Sequence, residues 1–75
     1  MPEFYPHALR QMQKRGISHA EVLQVLENHE TAYPSHEPGR EVRTRTIDGR
    51  RIAVVIEPTM PDDWVVTAFV QTDPQ

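Results

Sequence analysis

Pro6-His7-Ala8-Leu9-Arg10-Gln11-Met12-Gln13-Lys14-Arg15-Gly16-Ile17-Ser18 reads as a helix, a glycine stop and the start signal of a second helix. Proline suits a first helical turn, and a glycine after a basic last turn takes the left-handed stop, so the first helix is expected over 6–15. Ala8, Leu9 and Met12 form an apolar stripe that continues to Ile17, with His7, Arg10, Gln11 and Lys14 on the other side. Ser18 then caps a second helix, expected over 18–28, and Glu21 three residues on completes a capping box. Ala20, Val22, Leu23, Val25 and Leu26 give this helix a wide apolar face, so it should be the more deeply buried. Only Gly16-Ile17-Ser18 separates the two, which forces a compact corner.

Beyond His29 the period changes from helical to extended. Residues 31–33 are a short edge strand stopped by Pro34, and Ser35-His36-Glu37-Pro38-Gly39 is a polar loop. Strands over 41–47 and 50–57 meet at Asp48-Gly49, the strongest hairpin signal in the chain. A last strand over 64–71 is apolar on both faces, Trp64, Val66, Ala68 and Val70 on one and Val65, Thr67 and Phe69 on the other, as a central strand would be. A two-residue loop at Asp48-Gly49 pairs Arg45 with Ile52 and Arg43 with Val54, putting charge among aliphatics. A three-residue loop with a bulge at Gly49 pairs Thr44 with Ile52 and Val42 with Val54 instead. Burial favours the second, which leaves Arg43, Arg45 and Arg51 with Ala53 and Val55 on an uncovered face. The expected fold is α+β: two N-terminal helices on one face of an antiparallel sheet of three strong strands and one short edge strand.

A chain of 75 residues makes one domain, 1–75, with a small core. Without cysteine it has neither a disulfide frame nor a thiolate metal site. The N-terminus lacks the basic start and apolar run of a signal peptide, and no stretch is apolar enough to span a bilayer, so a soluble cytoplasmic protein without a membrane partner is expected. A net charge of −3 has the wrong sign for binding nucleic acid by bulk charge, so any phosphate site must be local. Seven of the eight basic residues are arginine, whose planar fork suits phosphate and carboxylate alike.

His-Ala, then Met, then Arg-Gly-Ile-Ser, the acid-capped helix, an Asp-Gly-Arg turn into Ile-Ala-Val-Val, and Val-Val-Thr-Ala-Phe near the end together resemble a family of small bacterial domains of unknown function. That family is grouped by fold with the RelE-type toxin ribonucleases, the barnase, EndoU, colicin and RelE-like class. The resemblance runs from about Tyr5 to Val70 and matches at His7, Ala8, Met12, Arg15, Gly16, Ile17, Gly49, Arg50 or Arg51, and Thr67. Relatives often carry a basic residue where Gln11 stands; here the arginine is one place earlier, at Arg10, about 100° around the helix.

What the resemblance implies is cleavage of RNA by an internal 2′-hydroxyl. Such a reaction needs a base, an acid and cations on the phosphate. His7 supplies the base or the acid, Arg15 and Arg45 stabilise charge, and Thr67 orients a phosphate oxygen, with Arg10, Arg43 and Arg51 as further phosphate ligands. No second acid or base accompanies them unless a carboxylate folds nearby, and neither a cofactor nor a metal is called for. Each residue also has a plainer role. Arg15 can meet the negative end of its own helix. The strand arginines can pair with Glu41, Glu57 or Asp48, and Thr67 is a good strand former. His29 and His36, each beside a glutamate, match no standard metal spacing, and Tyr5 and Tyr33 are expected to pack. Two functions follow: an RNA-binding or RNA-cleaving domain, toxin-like and with an antitoxin as partner, or a non-catalytic module that docks an acidic protein or a second copy through its arginine-bearing sheet face.

Overall fold

A computed structural model of the chain describes residues 2–59 and 62–71, so the expected connection over 58–63 is seen except at 60 and 61. Its elements are β1 (Glu3–Phe4), α1 (Pro6–Arg15), α2 (His19–Glu27), β2 (Thr31–Pro34), β3 (Glu41–Ile47), β4 (Arg50–Glu57) and β5 (Trp64–Gln71). The strands form one sheet in the order β1-β5-β4-β3-β2. All neighbours are antiparallel except β1 and β5, which run parallel. The α+β class and the helix pair are as the sequence pattern predicts, with a fifth strand that no periodicity announces.

Both helices begin and end where the sequence signals stand. Gly16 sits at φ 67°, and the amide of Ile17 closes the corner on the Met12 carbonyl at 2.9 Å. Ser18 accepts from the Glu21 amide at 3.1 Å while Glu21 accepts from the Ser18 amide at 2.9 Å, a complete capping box. Ala8, Met12 and Ile17, with Val22 and Val25 of α2, pack on Ile52, Val54, Ile56, Val65 and Ala68. Each fully buried valine or isoleucine contributes roughly 1.5–3 kcal/mol of transfer free energy, so this layer holds the domain together. Leu9, expected in the stripe, is 41 % exposed; the contact face of α1 is centred on Ala8 and Met12, one turn apart.

The hairpin register is the main correction. Arg45 lies opposite Ile52, Arg43 opposite Val54 and Ile47 opposite Arg50, so the loop has two residues, not three. Asp48 at φ 51° and Gly49 at φ 81° are both left-handed, the backbone of the tight turn whose twist matches that of the flanking strands. Arg43 and Arg45 therefore share the helix-covered face with Ile52 and Val54, and the expected gathering of Arg43, Arg45 and Arg51 on the open face does not occur. A second irregularity lies in β5: Val55 pairs with Thr67 but Ile56 with Val65. Val66 is thus the extra residue, and Val65 turns into the core beside Ala68 rather than sharing a face with Thr67 and Phe69.

On the face away from the helices, Val42, Thr44 and Ala53 are nonetheless buried. Tyr33 on the outermost strand accepts from the Gln71 side-chain amide of β5 at 2.9 Å, reaching over β3 and β4. Across a flat sheet those strands would stand about 14 Å apart, so the sheet curls toward this face and makes it concave.

Candidate anion-binding cleft

Where α1 begins, the chain is pinned to β5. The Glu3 amide donates to the Asp63 carbonyl at 2.9 Å and the Tyr5 amide to the Val65 carbonyl at 3.0 Å. Tyr5 caps the helix in extended conformation without a side-chain cap bond, and no acidic residue stands in the first turn. The positive end of the helix is therefore left to other partners. Beside it opens a cleft of about 710 Å³ whose walls include Tyr5, His7 and Arg10 from the start of α1, Glu37 and Arg40 from the loop after β2, and Thr67 from β5.

One wall is a fixed polar network. The Tyr5 hydroxyl donates to Glu57 at 2.5 Å, and Arg40 donates through Nε to Glu57 at 3.3 Å and through Nη1 to Glu37 at 2.5 Å. The Tyr5 ring leans on Trp64 with centroids 5.0 Å apart. The hydrogen bond from Tyr5, with the nearby Arg40, holds the Glu57 carboxyl below its ordinary range. The same bond to an anionic partner pushes the Tyr5 phenol up. Arg10 is different: it is exposed and has no carboxylate partner among the described residues, so its charge is available to a ligand.

Of the residues singled out in the sequence, the fold brings His7, Arg10 and Thr67 to this cleft. The Arg10 side chain shares the His7 side of α1, three residues along. The other arginines go elsewhere. Arg15 donates to the Ala68 carbonyl of β5 at 2.9 Å. Arg43 reaches the Leu26 carbonyl at 3.4 Å and Arg45 the Asn28 carbonyl at 2.8 Å; Arg43 also pairs with Glu41 at 3.2 Å and Asp63 at 3.8 Å. Since α2 has no basic residue in its own last turn, these two strand residues supply the cations that its negative end favours. Arg51 lies on the concave face, with Nη2 3.4 Å and 3.3 Å from the Thr31 and Thr44 hydroxyls.

Sequence reasoning missed Tyr5, Glu37 and Arg40 as cleft residues, and Glu57 as the carboxylate that ties Tyr5 to Arg40. The first signal was present, an aromatic before the helix-opening proline, but the pairing of β1 with β5 that fixes Tyr5 could not be read from two residues. Arg40 follows Gly39 in a polar loop whose path over the sheet depends on tertiary contacts. Among the described residues no three of His, Cys, Asp or Glu gather as metal ligands would, and no helix is long and apolar enough to cross a membrane.

No curated protein and no solved structure matches the chain. A model of the protein family described as domain of unknown function DUF4258 matches residues 4–70. That span takes in both helices, all but the first residue of the parallel edge strand, and the last strand up to Val70, so the chain belongs to the DUF4258 family.

Proposed function

We propose that the chain binds single-stranded RNA through a phosphodiester at the cleft beside α1 and cleaves it by attack of the internal 2′-hydroxyl. The observation that carries this reading is the convergence of an imidazole, an arginine without a carboxylate partner and a strand hydroxyl on one cleft: His7, Arg10 and Thr67. A carboxylate also folds nearby, which the sequence alone left open. Glu37 is the base in this scheme and takes the proton of the 2′-hydroxyl, whose oxygen bonds to phosphorus. His7, protonated, gives its proton to the departing 5′-oxygen. The products are a 2′,3′-cyclic phosphate and a 5′-hydroxyl. Arg10 and Arg40 stabilise the charge on the crowded phosphate and Thr67 orients one of its oxygens. Arg15, Arg43 and Arg45 hold main-chain carbonyls and serve the cleft only by keeping α1 and α2 in place. The expected grouping of this family by fold with RelE-type ribonucleases points to the same chemistry, and an antitoxin-like partner would follow from it.

The test is cleavage of a fluorophore-labelled single-stranded RNA by wild type, His7→Ala and Arg10→Ala, with a 2′-deoxy strand as control. Cleavage of RNA but not of the deoxy strand, reduced at least 100-fold by His7→Ala, is the expected result. Equal cleavage by wild type and His7→Ala, or none by any of them, contradicts it.

A further inference from the structure

Thr67, Phe69 and Gln71 alternate along β5 and so point to the concave face, away from the helices. Thr67 ends in the anion cleft. Gln71 stands opposite Arg51, an arginine bonded to two threonine hydroxyls and to no carboxylate among the described residues. Between these two donor-rich ends lies Phe69, which with Tyr33, Val42, Ser35 and His36 walls a cavity of about 510 Å³. From Thr67 to Gln71 the strand advances on the order of 13 Å. That leaves room for a base-bearing nucleotide between a phosphate at the cleft and another at Arg51. Two aromatic rings, an aliphatic floor and a polar rim of hydroxyl and imidazole match a flat heterocycle with hydrogen-bonding edges.

Building on the RNA reading above, we propose that this cavity is a nucleobase pocket, with Phe69 and Tyr33 stacking on a base and Arg51 holding the phosphate at its far side. The commitment to a nucleic-acid ligand, rather than an apolar peptide, comes from charge: in a chain of net charge −3, the concave face carries at one end Arg51, which no carboxylate among the described residues offsets, and at the other Thr67, which it shares with the cleft of His7, Arg10, Arg40 and Glu37.

The test compares a 2′-O-methylated pentaribonucleotide with a fully abasic strand of the same length and charge, by fluorescence anisotropy at one fixed salt concentration. Wild type should bind the base-bearing strand about 5- to 160-fold tighter, the range for stacking one base. Phe69→Leu should shrink that ratio while leaving the affinity for the abasic strand unchanged. Should Phe69→Leu fail to fold, amide shifts of the wild type decide: those of Tyr33, Ser35, His36, Val42 and Phe69 should respond to the base-bearing strand and not to the abasic one. Equal affinities for the two strands, a ratio unaffected by Phe69→Leu, or amide shifts that do not differ overturn the pocket while leaving phosphate binding intact. Failure of both strands to bind overturns both readings.

Discussion

The Arg45 guanidinium donates to the main-chain carbonyl of Asn28, 2.8 Å away, and so ties the middle of β3 to the end of α2. A charge that alternation would send to solvent is thereby used to close a helix whose own last turn has no cation. Arg45→Ala should destabilise the fold by about 1–2 kcal/mol through the lost charge-assisted bond. For a domain of this size that lowers Tm by roughly 4–16 °C. Thermal denaturation measures it, and an unchanged Tm would deny the capping role.

Gly49 is the second prediction. With φ 81°, a side chain there is strained although open space surrounds the position. Gly49→Ala should cost about 1–2 kcal/mol by backbone strain alone. Urea denaturation measures the loss, and an unchanged slope would show that the effect is on stability rather than on the unfolded chain.

Titration gives a third. Glu57 and Glu21 both ionise below their ordinary range, Glu57 through the Tyr5 bond and then Arg40, Glu21 through the Ser18 amide and then Arg50. Each therefore adds stability that is present above the ordinary glutamate range and is lost as pH falls through the lowered value. Tyr5 is raised above 10.0 by its bond to Glu57. Its contribution is complete below that pH and fades as pH rises through the raised value. Stability measured by denaturant across pH should fall at both ends, and Tyr5→Phe should remove the alkaline fall while weakening the acid one. An alkaline fall that persists in Tyr5→Phe would assign it to another group.

Core truncation is the fourth. Ile52 is fully buried between the helices and the sheet. Ile52→Ala should cost about 2–5 kcal/mol, which in a chain this short approaches the whole stability. Loss of cooperative melting is expected, and a Tm within a few degrees of wild type would contradict the core described.

The helix corner, the hairpin and the last strand were legible because their signals are local: Gly16, the Ser18–Glu21 pair, Asp48-Gly49 and an unbroken apolar run. The register was not. Polarity argued that Arg43 and Arg45 belong in solvent, and what overrules it is the carbonyl end of α2, a partner 17 residues away in each case. Long arginine stems bury readily when the head finds acceptors. The Val66 bulge was hidden for a related reason, since Val65 and Val66 are equally apolar and only packing chooses between them. In the cleft, His7 and Thr67 could be named from the sequence, but the Tyr5–Glu57–Arg40–Glu37 network joins residues up to 52 apart.

Mapping where an RNA strand touches the protein tests the cleft most directly. Amide chemical shifts of the wild type are followed while a 2′-O-methylated pentaribonucleotide, which resists cleavage, is added. Saturable shifts concentrated at Tyr5, at residues 7–10, at Glu37, at residues 39–40 and at residues 66–67, weakening as salt rises, are the predicted result. Shifts confined to α2 and the Arg43–Arg45 stretch, or none at a concentration that saturates other single-strand binders, would show that the mouth of α1 does not receive a phosphate.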